Sequence, residues 1–225
     1  MSKTTTTKPK SKGKSTAKRA RNQQSSKGFL YGVIAVVIVG ALGIALIANQ
    51  YRDKEDEVTS AQTAPVTVTG QSLATFDKAA EDTAVGTTIP DLSGTTLDGT
   101  PVTVKNDGKA KVLLFAAHWC PHCQKEIPLL APNLRDNPLP ENVEMYTVST
   151  GVNADAPNYP PSEWFEREQW PTSVIADDEN NTAAQAFGLD GYPYFVFVNS
   201  DNTVSARASG EIPVEEFRAY IDALQ

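Results

Sequence analysis

Both cysteines of this 225-residue chain fall in one pentapeptide, Trp119-Cys120-Pro121-His122-Cys123, directly behind the apolar run Val112-Leu113-Leu114-Phe115-Ala116-Ala117. The run reads as a buried strand and the residues after the cysteines as a helix, so the thiols sit where a strand gives way to a helix. The first N–H groups of a helix have no partner within it, so that end carries partial positive charge and favours a thiolate placed there. Cys120 is read at that point, with Pro121 at the first helical position, where its missing N–H costs nothing. His122 adds a charge or a donor beside the sulfur. Stabilising the thiolate makes the dithiol a better oxidant.

Other uses of two close cysteines fit less well. A bridge across so short a loop contributes little to stability, which disfavours a structural disulfide. Covalent haem attachment needs His after the second cysteine, where Gln124 stands. Structural zinc draws on two separated ligand pairs, whereas His118, Cys120, His122 and Cys123 lie within six consecutive positions. Copper(I) binding or delivery needs fewer and softer ligands and stays open as the alternative function. No cofactor is called for.

Charge divides the chain. Residues 1–28 carry nine Lys or Arg and no acid, whereas the residues after Ala48 carry all 27 carboxylates against 11 basic side chains. Between them Phe29 to Ala48 has no charged residue, and its length spans a bilayer core at about 1.5 Å per residue. Basic flanks stay in the cytoplasm, so residues 1–28 are expected to form a disordered cytoplasmic tail, 29–48 a transmembrane helix, and the remainder an extracytoplasmic part. The competing reading is a cleaved signal peptide, with Gly43-Ile44-Ala45 a tolerable cleavage site; Arg19 and Arg21 are separated by Ala20, so there is no twin-arginine signal. The tail lacks interleaved aromatics and the outer part is acidic, which disfavours nucleic acid as a partner.

Residues 49–85 are polar and read as a linker with one short strand at Val66 to Thr69. Residues 86–225 read as one domain. Strands around the Asp98-Gly99 turn form a hairpin. Then come the strand Lys111 to Ala117, a helix from Pro121 to about Leu134 that Pro128 should kink, and a strand over Val143 to Ser149. A helix over Ser162 to Gln169, a strand over Thr172 to Ala176 and a helix over Asn180 to Phe187 follow. A strand pair, Pro193 to Val198 and Val204 to Ala208, and an amphipathic helix from Val214 to Leu224 close the chain. The fold class expected is α/β, a mixed central sheet flanked by helices and preceded by the hairpin, one transmembrane helix and the basic tail.

With WCPHC behind a buried strand, Glu126-Ile127-Pro128 just past it, Phe187-Gly188-Leu189-Asp190-Gly191-Tyr192-Pro193 and a closing Gly210 before a helix, the chain resembles the thioredoxin-like superfamily. Within it the chain resembles the membrane-anchored, extracytoplasmic TlpA/ResA type of thiol-disulfide oxidoreductase. The resemblance covers residues 86–225. It implies that Cys120 is the nucleophile, Cys123 the resolving cysteine and Pro193 a cis-proline facing them, and that Glu126 moves protons for the resolving thiol. It also implies extracytoplasmic client proteins with thiols or disulfides, and a membrane redox partner that resets the site. Cytoplasmic thioredoxins have a buried Asp where this chain has Leu114, a departure that argues against that branch. Pro-His between the cysteines is the dipeptide of oxidising disulfide-forming proteins, whereas the overall layout is that of reducing ones; oxidation is favoured.

Three residue readings are plainer. His118 reads as a packed or surface residue ahead of the site. A peroxide-reducing enzyme, whose branch the hairpin also resembles, needs Thr about three positions before its cysteine, where Ala117 stands. The aromatic stretch Tyr159 to Trp170 could dock a partner in a non-enzymatic scaffold, but Trp164, Phe165 and Trp170 read better as core or groove walls.

Overall fold

The computed structural model describes residues 62–225. The basic tail, the apolar stretch 29–48 and the linker up to residue 61 lie outside the described residues. Among the described residues no helix is long and apolar enough to cross a membrane.

The element order is β1 (Thr67–Thr69), β2 (Asp91–Thr95), β3 (Pro101–Val104), β4 (Ala110–Ala116), α1 (Cys123–Asp136), β5 (Val143–Ser149), α2 (Pro161–Arg167), β6 (Ser173–Ala176), α3 (Thr182–Ala186), β7 (Tyr194–Val198), β8 (Val204–Ser209) and α4 (Val214–Asp222). β1, β2 and β3 make a small antiparallel sheet, and the main sheet runs β6-β5-β4-β7-β8. β4 is parallel to β5 and antiparallel to β7. It lies at the sheet centre because all seven of its residues are buried, so both of its faces need cover.

Alternation along β4 divides the core. Val112, Leu114 and Ala116 join Ile127, Leu130 and Leu134 of α1 and Phe217 and Ile221 of α4 on one side. Leu113 and Phe115 join Phe187, Tyr194 and Val196 on the other, together with Leu92 and Val104 of the small sheet. Each fully buried Phe or Leu contributes about 1.5–3 kcal/mol relative to exposure.

Two differences from the sequence reading stand out. Helix α1 begins at Cys123 with His122 as its N-cap, so Pro121 precedes the cap and is not the first helical residue. The Cys120 carbonyl accepts from Gln124 N–H (3.0 Å) as in a helix, but Lys125 N–H donates to the His122 carbonyl (3.2 Å) and not to that of Pro121, which interrupts the ladder there. The helix then runs as one element through both Pro128 and Pro132.

The second difference is that residues 62–85, read as linker, are packed onto the fold. Leu73 and Ala84 are buried with the second core cluster. Leu73 N–H donates to the Ala186 carbonyl and Phe76 N–H to that of Gly188, both at 2.8 Å. Buried Arg207 of β8 holds this segment: its guanidinium donates to both carboxylate oxygens of Asp82, to the Ala74 carbonyl (2.7 Å) and to the Tyr194 hydroxyl (3.0 Å). Gly188 lies in the same corner at φ +77°, where a Cβ would come within 2.3 Å of the Ala74 oxygen. Composition hid this segment because its anchors are mostly backbone groups and one distant arginine.

Candidate active site

Strand β4 and the first turn of α1 place the thiols at one end of the sheet centre. Both cysteines are free thiols. They differ in access: Cys120 is 6% exposed and Cys123 fully buried. Burial pushes the Cys123 thiol far up, and negative charge on Cys120 or Glu126 would push it further, against one opposing hydrogen bond from the Ala117 backbone. The site therefore holds an outer sulfur whose residue keeps a small exposed surface and an inner one kept protonated until something removes its proton.

Tyr192–Pro193 is a cis peptide. The Cys120 thiol points at the Tyr192 carbonyl, with sulfur and oxygen 3.7 Å apart. The segment before β7, 72 residues away in sequence, thus lies against the Cys120 sulfur.

Glu126, one turn into α1, is 1% exposed, and its Oε1 has no hydrogen-bond partner. Burial pushes its carboxyl up to about 7; Ile212 backbone N–H opposes this and the charge of Glu211 reinforces it. A carboxyl that titrates near neutrality beside a buried thiol is suited to exchange a proton with it. The pKa also predicts a stability effect. The folded value lies above the ordinary 4.5, so the neutral carboxyl's contribution is complete below about pH 4.5 and is lost as pH rises through about 7. Glu126→Gln, neutral throughout, should match the wild type at pH 4.5 and exceed it by about 2 kcal/mol at pH 8.5 in urea unfolding. Equal gaps at the two pH values would refute a buried, titrating Glu126.

His122, read from sequence as adding a charge or a donor beside the sulfur, has its contacts elsewhere. It is an exposed side chain whose Nδ1 lies 2.5 Å from Glu211 Oε1, and Lys125 Nζ reaches the same oxygen at 3.3 Å. Those contacts hold the Glu211 carboxyl below its usual range. The imidazole thus faces an acid 89 positions away in sequence.

His118 is buried. Its Nδ1 meets the Pro157 carbonyl at 2.7 Å and its Nε2 accepts from Asn153 N–H at 3.2 Å. Trp119 Nε1 donates to the Gly151 carbonyl (2.6 Å), and its ring stands edge-on to Tyr192, with centroids 5.8 Å apart. Gly151, at φ +62°, has no room for a Cβ, which would meet the Tyr192 hydroxyl at 2.8 Å. Trp164 and Phe165 are core residues and Trp170 packs against them, as the plainer reading had it.

The structure therefore groups Cys120, Cys123, Glu126 and Pro193, and leaves His122 at the rim. Sequence reasoning missed Glu211, the Ile212 N–H and the place of the 151–160 loop beside the cysteines; Pro157 and Pro160 marked that stretch only as a loop. Among the described residues no three His, Cys, Asp or Glu side chains are grouped to hold a metal ion.

A profile of the AhpC/TSA family matches residues 85–207. Among curated proteins, the methylamine utilization protein MauD of Methylobacillus flagellatus is 34% identical over 74 residues, covering 32% of this chain and 34% of MauD. The match thus spans about a third of that relative. Among solved structures, a secreted Mycobacterium tuberculosis disulfide oxidoreductase homologous to E. coli DsbE superposes with a TM-score of 0.50 at 24% identity, over 59% of this chain and 95% of that one. A thiol:disulfide interchange protein of the thioredoxin family from Chlorobium tepidum gives 0.51 at 21% identity, over 61% and 94%. These superpositions establish a thioredoxin-like fold, and with more than half its length matched by the family profile, the chain belongs to the AhpC/TSA family.

Proposed function

We propose that the protein is a thiol-disulfide oxidoreductase of the TlpA/ResA type, acting through Cys120 and Cys123 on client proteins outside the cytoplasm. The observation that carries this reading is the pair of unequal thiols, one slightly exposed beside Tyr192–Pro193 and one fully buried next to Glu126. In the forward sense a client thiolate attacks the Cys120 sulfur of the Cys120-Cys123 disulfide. The Cys123 thiolate leaves and takes a proton from Glu126, and a second client thiolate displaces Cys120 from the mixed disulfide. The client loses two electrons and the site gains them. The reverse sequence reduces a client.

We favour disulfide formation, on the strength of Pro121-His122 between the cysteines. A reduction potential near about −120 mV supports this direction, and one near about −270 mV supports reduction instead. Copper delivery gains nothing from the geometry, because His118 uses both ring nitrogens and His122 faces Glu211. The peroxide-reducing alternative still lacks its Thr at Ala117.

Anchoring through 29–48 with the catalytic part outside rests on the apolar stretch and the charge asymmetry around it. A membrane redox partner that resets the dithiol follows from that placement. Protease added to spheroplasts should digest residues 62–225 while sparing cytoplasmic markers; protection of the domain would place it inside.

A further inference from the structure

The segment before Cys120 is tied on one side to a single surface loop, from Gly151 to Pro160. His118 holds the loop by side chain and backbone. Its ring contacts Pro157 and Asn153, and its carbonyl accepts from Asn158 Nδ2 (3.2 Å) and, from α1, Gln124 Nε2 (3.0 Å). Trp119 holds the loop's first residue through the Gly151 carbonyl. The loop presents Tyr159, 45% exposed, its ring set edge-on to that of His118 with centroids 6.0 Å apart. Trp119, 36% exposed, adds a second aromatic surface next to the reactive sulfur.

The hydrogen bonds assign the tautomer. The Pro157 carbonyl can only accept, so Nδ1 carries the hydrogen; Asn153 N–H can only donate, so Nε2 is bare. A proton on Nε2 would set two N–H groups against each other. We infer that His118 is a positioning residue that holds the 151–160 loop beside Cys120 as the wall that selects protein clients, and that it releases the loop when its ring takes up a proton.

Burial, which holds the His118 ring below its usual pKa, keeps the latch closed at neutral pH. The titratable or charged groups on the elements around it are Asp155 and Tyr159 on the loop, Cys120 two residues on, and Arg167 of α2, whose guanidinium donates to Asn158 Oδ1 (2.8 Å). The favoured client segment carries an aromatic or aliphatic residue near its cysteine, to cover Tyr159 and Trp119.

This inference rests on the thiol-exchange reading, and two readouts keep them separate. Amide hydrogen exchange on the whole chain, corrected for intrinsic rates, should show Asn153 losing at least tenfold protection in the wild type between pH 7.5 and 4.5. In His118→Gln, whose amide makes both bonds without titrating, protection should stay flat. The disulfide form is then reacted with reduced ribonuclease A and with reduced glutathione. The ratio of kcat/KM for the first over the second should fall at least fivefold over that pH range in the wild type, through KM. It should hold steady in His118→Gln, and be low at every pH in His118→Phe and in Tyr159→Ala, which leaves the buried fold untouched. Unchanged Asn153 protection in the wild type, or a wild-type ratio in Tyr159→Ala, overturns the inference. Absence of exchange with either thiol overturns the enzymatic reading instead, while hydrogen exchange still decides the latch.

Discussion

Cys120→Ser is expected to lose at least about a thousandfold in oxidative refolding of reduced ribonuclease A, with no change in thermal stability. A hydroxyl at this position is not ionised near neutral pH and forms no bond to a client sulfur. The remaining thiol, Cys123, is fully buried and burial keeps it protonated, so it cannot take over attack. The companion Cys123→Ser should behave differently: its outer thiol still bonds to clients, but nothing inside displaces them, and mixed disulfides accumulate on a non-reducing gel. The contrast between the two variants is the informative result. Equal activity in Cys120→Ser and wild type would end the catalytic reading, and mixed disulfides in neither variant would remove the assignment of roles to the two sulfurs.

Arg207→Met should lower stability by about 3 kcal/mol, because it leaves the Asp82 carboxylate and the Ala74 carbonyl without their buried partner. The melting temperature should fall by about 6–12 °C for a body of this size. Hydrogen bonds from Arg207 hold the Asp82 carboxyl below its ordinary 3.8. A depressed folded value means the stabilisation is complete above about pH 4 and is lost as pH falls through the folded value. The gap between wild type and variant should therefore narrow below about pH 4, as read by thermal melts at pH 3 and pH 7. A melting temperature unaffected by Arg207→Met would show that residues 73–84 are not strapped to β8 as described.

The consequence reaches beyond one ion pair. Cutting the chain at Gly86, where the dense pattern begins in sequence, removes Leu73, Asp82 and Ala84 from the second core cluster and its polar clasp. The autonomous body begins earlier than hydrophobic patterning suggests. Its leading segment is bound by carbonyl and carboxylate contacts that carry no periodicity.

Elements built on local periodicity were legible. The seven-residue β4, the antiparallel pair β7 and β8, and the closing amphipathic helix all fall within two residues of where apolar spacing puts them. Helix α1 started later because Lys125 N–H bonds to the His122 carbonyl three residues back, so the i→i−4 ladder that opens at Cys120 is interrupted at Pro121. The thiols were legible for another reason: only two cysteines exist, and their spacing and position after a buried strand carry chemistry by themselves. Glu126 was visible as a residue type one turn on, but its burial is set by how α1 meets the loop before α4, where Ile212 and Glu211 reside. His122 was read from its neighbours in sequence and is governed instead by Glu211.

From its linear order of residues alone, then, the chain determined where most strands and helices lie and which two sulfurs are the candidates for thiol exchange, because those depend on short-range spacing and side-chain chemistry. Tertiary structure alone decided which polar groups face Cys120 and the side chains beside the two sulfurs. The Tyr192 carbonyl, Glu211, the Ile212 N–H and the loop clasped by His118 come from 32 to 89 residues away from the groups they touch. Nothing in local periodicity encodes a contact that closes only when the sheet has brought its strand ends together.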